Sequence, residues 1–216
     1  ASAEAMARGD ALHKAIERLS LAHPADLPAD AEARLEALIL EELAAHGFEG
    51  PPMARETPLA RNAARWLAAF ERSRRGPGVR LLAEQHGALT FAAPGGPFTL
   101  QAYADRIELS PDGGAAILDF KTGQAPTQKQ VLAGYAPQLS LTAAILAAGG
   151  FAGAGGPAPA RQLAYVRITG RAPAGQLVDV SRPSRINGLD AGQIAEAALD
   201  ALKRRVARFD DPSVPY

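Results

Sequence analysis

Cysteine is absent from this 216-residue chain. That one absence excludes disulfides, thiolate zinc sites, iron–sulfur clusters and cysteine nucleophiles together. Net charge is absent too, with 23 Lys and Arg against 23 Asp and Glu, so no bulk electrostatic pull draws the chain to nucleic acid. No apolar run is long enough to span a bilayer; the stretch from Ala143 to Gly156 is too short and too rich in glycine. No membrane partner is expected. Ala1 to Asp10 carries acids and no apolar segment, which predicts no signal peptide and a cytoplasmic location. Gly113-Gly114 and Gly149-Gly150 lack the Gly-Lys-Ser/Thr that completes a phosphate-binding loop, so no nucleotide site of that kind is expected. No internal repeat is visible.

What is present is ordinary for a soluble globular protein: 47% hydrophobic and 21% charged residues. The length suits a single domain over residues 1–216 with a substantial core. An N-terminal helical part is expected over 1–76 and a mixed core with a C-terminal helix over 77–216. Charge is unevenly placed. From Phe151 onward nine Lys and Arg stand against six Asp and Glu, and from Leu81 to Gly150 three stand against five. An acidic middle and a basic tail fit a metal site beside a phosphate-contacting surface; scattered surface charge gives such counts as readily.

Periodicity predicts the elements. Leu12, Ile16 and Leu19 recur at helical spacing, as do Leu35, Leu38, Ile39 and Leu43, with Gly47 as the stop. A third helix is expected from Thr57 to Ser73, opened by Thr57-Pro58 and facing inward with Leu59, Ala63, Trp66, Leu67 and Phe70. Gly76-Pro77-Gly78 ends it. Short strands follow at Val79–Glu84 and Ala88–Ala92 around His86-Gly87, then a longer one at Phe98–Leu109. Ser110-Pro111-Asp112-Gly113-Gly114 is a turn, and Ala115–Phe120 is the next strand. Thr127 is expected to open one long helix through Ala148. Residues 149–160 read as a flexible loop, Gln162–Ile168 as a strand, and Asp190–Phe209 as a last helix. The ending through Tyr216 lacks a clear terminal element, as at the edge of a fragment. These elements make an α/β or α+β domain, with a central mixed sheet of about four to five strands flanked by helices.

The residues with chemistry gather at two strand ends. Asp105 shares strand parity with Tyr103, Ile107 and Leu109, the apolar side, where a carboxylate needs a partner. Arg106 or a backbone amide is the plain alternative. Asp119 shares parity with Ala115, Ile117 and Lys121 on the following strand; a surface ion pair of Asp119 with Lys121 is the plain alternative there. A meander turn can set Asp105 beside Asp119, and two neighbouring carboxylates repel unless a divalent cation lies between them. A carboxylate pair with a cation and an ammonium is equipment for hydrolysing phosphodiesters.

The order of these residues resembles the PD-(D/E)xK nuclease superfamily, restriction-endonuclease-like in fold, and within it the RecB-type branch. The matching elements are Gly9 and His13 in Gly9-Asp10-Ala11-Leu12-His13, then Asp105, Asp119-Phe120-Lys121-Thr122-Gly123, and Gln138 in Gly134-Tyr135-Ala136-Pro137-Gln138-Leu139. The run Ala136 to Leu141 and the ending from Phe209 to Tyr216 are similar to the C-terminal nuclease domain of the B subunit of AddAB-type helicase–nucleases, in the alphaproteobacterial form. The resemblance implies that His13, Asp105, Asp119 and the Phe120 carbonyl hold Mg²⁺ or Mn²⁺, a lone imidazole favouring Mn²⁺ slightly. It implies that Lys121 orients water or stabilises developing charge, and that Gln138 holds substrate or site. Glu84 is a candidate additional ligand or supporting group, or a plain surface acid; Tyr135 is a candidate support near Gln138. DNA, unwound from a duplex end by a partner helicase–nuclease subunit, is the implied partner, and double-strand break repair the implied setting. A catalytically silent domain that binds DNA ends or braces its partner is the alternative.

Two departures stand out. Many relatives hold an iron–sulfur cluster through cysteines, which this chain lacks. The usual Gln-x-x-x-Tyr reads Gln138-Leu139-Ser140-Leu141-Thr142, with Tyr135 one turn upstream. Lys203, Arg204, Arg205 and Arg208 could touch a DNA backbone or form a solvated helix face. His23, His46 and His86 share no ligand spacing and are expected to face solvent. Trp66 is expected in the core.

Overall fold

A computed structural model describes residues 3–185 and 187–210. The likeness seen in the ending beyond Asp210 lies outside the described residues. In chain order the elements are α1 (Ala3–Ala22), α2 (Ala31–Ala45), α3 (Gly50–Arg74), β1 (Arg80–Ala93), β2 (Gly96–Leu109), β3 (Ala115–Lys121), α4 (Gln128–Leu132), α5 (Gln138–Ala147), β4 (Ala160–Ile168), β5 (Gly175–Asp179) and α6 (Ala191–Phe209). The strands form a mixed five-stranded sheet in the order β1-β2-β3-β4-β5. The expected α/β class stands. The chain divides into two compact units: one of 1–83, 120–125 and 165–178, the other of 84–119, 126–164 and 179–216.

In the first unit α1 packs on α2, and α2 on α3. Leu12, Ile16 and Leu19 meet Leu35, Ile39 and Leu43 as the helical spacing predicts, and all six are buried. Each such side chain contributes about 1.5–3 kcal/mol on burial. α2 ends as expected: Gly47 adopts φ +83, and the Phe48 amide donates to the Leu43 carbonyl at 3.0 Å. The α3 expectation needs correcting. The helix opens at Gly50, seven residues before Thr57, because Pro51 and Pro52 suit its first turn and Pro58 lies inside. Thr57 is no cap; its hydroxyl donates to the Met53 carbonyl one turn back, at 2.9 Å. The buried Glu71 accepts from Arg75 Nε at 2.7 Å near the helix end.

In the second unit the two expected strands around His86-Gly87 are one, β1. Glu84 sits in it at φ +48, a left-handed residue that lets the chain bend without leaving the sheet. Opposite β1, Phe98 meets Phe91 with tilted rings and centroids 5.3 Å apart, Thr99 meets Thr90 at 2.9 Å, and Tyr103 meets His86 at 4.8 Å between ring centroids. The expected turn joins β2 to β3: the Ser110 amide donates to the Gly114 carbonyl at 2.8 Å, and Gly113 takes φ +81. The expected long helix is two. Thr127 caps α4 with a full capping box shared with Gln130, but Gly134 at φ +76 breaks the run, and α5 starts after Pro137. Residues 149–160 are anchored rather than loose. Phe151 is fully buried against Gly87, where a Cβ would meet the ring at 2.5 Å, and Ala88 donates to the Gly150 carbonyl at 3.0 Å. α6 begins at an Asp190–Gln193 capping box and packs on α5.

Candidate active site

β2 and β3 pair antiparallel, with Arg106 opposite Leu118, Ile107 opposite Ile117, Glu108 opposite Ala116 and Leu109 opposite Ala115. Continuing that register by one residue sets Asp105 opposite Asp119, both inside their strands. Directly opposed residues share a face, with Cβ atoms about 4.5–5.5 Å apart. Asp119 is buried and Asp105 partly so. Ionised carboxylates at that spacing repel, and their joint burial is relieved by a cation.

Arg106 is not the partner of Asp105. Its side chain leaves the opposite face, where it pairs with Glu108 at 2.8 Å, both almost fully buried. Strand alternation decides this: residues two apart share a side and residues one apart do not.

The first unit contributes the other donors. α1 lies close against residues 120–122. His13 Nε2 is 2.7 Å from the Phe120 carbonyl oxygen, and its ring meets the Phe120 ring edge-on at 6.2 Å. A carbonyl only accepts, so Nε2 carries the proton in this arrangement. To ligate a metal, Nε2 would shed it and Nδ1 would hold the remaining one. Gly9 permits the approach: a Cβ there would stand 3.2 Å from Thr122 Oγ1. The spacing Gly9-x-x-x-His13 thus places a bare backbone and an imidazole one turn apart on the side of α1 that meets this segment. Lys121 is partly buried. Beyond it, Arg167 Nε donates to the Gly123 carbonyl at 2.9 Å.

The expected donors therefore come together as two pairs, Asp105 with Asp119 and His13 with the Phe120 carbonyl. Among the described residues, no group of three or more His, Asp and Glu side chains is gathered to hold a metal ion. Each pair is of the oxygen and imidazole type that suits a hard divalent cation: two carboxylates on one face in the second unit, and an imidazole nitrogen beside a main-chain oxygen in the first. Gln138 is exposed at the first residue of α5, and Tyr135 is 85% exposed. Glu84 is exposed. On α6, Lys203 lies 5.7 Å from the Phe91 ring centre, while Arg204, Arg205 and Arg208 are exposed. Sequence reasoning missed Arg8, Glu56, Thr122, Arg167 and Arg171, which line one cavity of the first unit. Only Thr122, inside the Asp-Phe-Lys-Thr-Gly run, carried a local signal.

With that geometry in view, the chain belongs to the PD-(D/E)XK nuclease superfamily, whose model matches residues 1–215. It is a superfamily of nucleases that act on DNA with divalent metals. Similar curated proteins include an uncharacterized protein of Rickettsia bellii, 31% identical over 124 residues that make up 52% of this chain and 15% of the relative. Another, from Rickettsia conorii, is 35% identical over 82 residues, 38% of this chain and 10% of the relative. The chain spans a small fraction of the length of these relatives. Among solved structures, the crystal structure of SSO0001 aligns with 88% of this chain and 83% of its own, at 15% identity and a TM-score of 0.35. No described helix is long and apolar enough to cross a membrane.

Proposed function

We propose that this chain is a divalent-metal-dependent DNA nuclease of the RecB type, hydrolysing phosphodiesters of strands unwound at a double-strand break. The observation that carries the reading is the β2–β3 register, which opposes Asp105 and Asp119 one residue before the carbonyl that His13 reaches. Asp105, Asp119, His13 and the Phe120 carbonyl are the proposed ligands of Mg²⁺ or Mn²⁺. The ion would neutralise phosphate charge and lower the pKa of the attacking water. Lys121 orients that water or meets the charge developing on the phosphate oxygens. Gln138, exposed at a helix start, touches the substrate strand. Arg204, Arg205 and Arg208 offer the backbone non-specific contacts. The proposed setting is recombinational repair within an AddAB-type helicase–nuclease, whose partner subunit delivers the unwound strand.

The test is cleavage of 5′-labelled single-stranded DNA with Mg²⁺ or Mn²⁺, beside Asp119→Ala, Lys121→Ala and an EDTA control. Cutting by the parent alone supports the nuclease. Metal binding by calorimetry that Asp119→Ala abolishes, without cutting, supports a competent site that needs its helicase. Neither cutting nor metal binding would sink the catalytic reading and leave a DNA-end-binding or bracing domain.

A further inference from the structure

The first unit carries an open cleft of about 320 Å³, at the small end of the range for ligand clefts, roughly 300 Å³ upward. Its lining is of two chemical kinds. Leu12, Ile39, Leu43 and Leu59 are apolar. Arg167, Arg171, Thr122 and Thr169 are cationic or polar. Arg8 and Glu56 also line it, but they neutralise one another: Arg8 Nε donates to Glu56 Oε2 at 2.8 Å, and Glu56 is buried. Arg167 and Arg171 have no acidic partner among the described residues, so the cavity is left with uncompensated positive charge beside two hydroxyls. Arg167 is partly buried and Arg171 exposed at the mouth, and two guanidinium groups at one cleft attract an anion that can bond to both.

The cationic lining is built rather than loose. Arg167 is oriented by its 2.9 Å bond to the Gly123 carbonyl. The turn between β4 and β5 is closed by the Thr169 and Gly170 amides on the Ala174 carbonyl, at 2.9 and 3.0 Å. Asn62 of α3 donates to the Gly170 carbonyl at 3.1 Å. Gly170, at φ +66, passes so near α3 that a Cβ would stand 2.3 Å from the Leu59 carbonyl oxygen. Thr169 Oγ1 accepts from the Arg171 amide at 3.1 Å, which sets the start of the Arg171 side chain.

We propose that this cavity holds one unstacked nucleotide, its base against the apolar lining and its phosphate between Arg167, Arg171 and the Thr122 hydroxyl. The leucine and isoleucine side chains of the lining offer no hydrogen bonds to a base edge, so the cavity does not discriminate among bases and is held to the phosphate. Thr122 directly follows Lys121 in the chain. The inference rests on the nuclease reading for its purpose and not for its chemistry. The same nucleotide chemistry has two sources: the end of a bound strand, or a mononucleotide released by cutting.

The test is calorimetry of the 216-residue chain in EDTA, with deoxyadenosine and thymidine 5′-monophosphates, a short oligothymidylate, thymidine and inorganic phosphate as probes. Both monophosphates are expected to bind within a few-fold of one another. Arg171→Ala should weaken them roughly tenfold, the loss of one charged hydrogen bond, and Arg171→Lys should recover part of it. Arg171 is exposed at a turn and its side chain makes no described hydrogen bond or ion pair, so the variant folds. Tighter binding of the oligomer assigns the pocket to a strand end, and tighter binding of the monomer to a released product. Inorganic phosphate binding as well as the monophosphates, or nucleotide binding unmoved by Arg171→Ala, would overturn the pocket. A chain that cuts DNA without Arg171-dependent nucleotide binding loses this inference and keeps the nuclease. A chain that binds nucleotides through Arg171 and never cuts, with or without its helicase, loses the nuclease and keeps the pocket.

Discussion

The hairpin of β1 and β2 is two different structures along its length. In the outer half, residues 96–103 of β2 alternate between partly buried and exposed, and their cross-strand partners are rings and hydroxyls. In the inner half, residues 104–109 are nearly all buried on both faces, yet include Asp105, Arg106 and Glu108. An outer half with one wet side obeys the ordinary rule for an antiparallel ribbon. The inner half violates it, since buried charge destabilises unless paired or liganded. A strand that carries charge into its buried end does so for a partner: Glu108 for Arg106, and, in the function proposed above, a cation for Asp105 with Asp119.

Substitution at the inner half should show the largest effect. Asp119→Asn keeps the shape and removes the charge; metal-dependent cleavage is expected to fall by roughly 10³-fold or more, with metal affinity lost in calorimetry. A variant that cuts at the parent rate would break the contrast between the halves. Next comes Arg106→Leu, which takes the Arg106 charge away from Glu108 in the interior. Urea denaturation should show a loss of about 3–5 kcal/mol, and the double variant Arg106→Leu/Glu108→Leu should regain most of it. The outer half should respond less: Phe98→Ala removes the ring packed against Phe91 and costs about 1 kcal/mol, with cleavage unchanged. The smallest effect marks the wet extreme of the same comparison. Asp30 bonds Arg34 at 2.7 Å in full exposure, and that bond holds its carboxyl below the ordinary range. A depressed folded pKa stabilises above the unfolded carboxylate range and loses that contribution as pH falls through the folded value. The melting temperatures of the parent and Asp30→Asn should therefore differ slightly at neutral pH and converge in acid.

Much of this was legible in the residues. Leu12, Ile16 and Leu19 announced their helix because one apolar face at a period of 3.6 has few other uses. Asp105 and Asp119 could be brought together in thought because a tight Gly-rich turn between two strands fixes their register. β5 went unseen: five residues opening Gly175-Gln176-Leu177 carry too little alternation, and Gly175 is there because Trp66 occupies its Cβ space. The start of α3 was misplaced because Thr57-Pro58 has the chemistry of a helix opening, and only packing chose Pro51-Pro52. The cavity was out of reach, since Arg8, Thr122 and Arg171 converge from distant stretches that share no period.

The Phe120 carbonyl has no codon of its own. Whatever amino acid stands between Asp119 and Lys121 supplies the same oxygen to His13, so the middle letter of the motif records something else: a side chain large and apolar enough for a place only 3% exposed. A library of substitutions at that position would grade fit and stay silent about the bond to His13. The donor becomes visible to an edit of the main chain itself, such as an ester in place of the amide that joins Phe120 to Lys121.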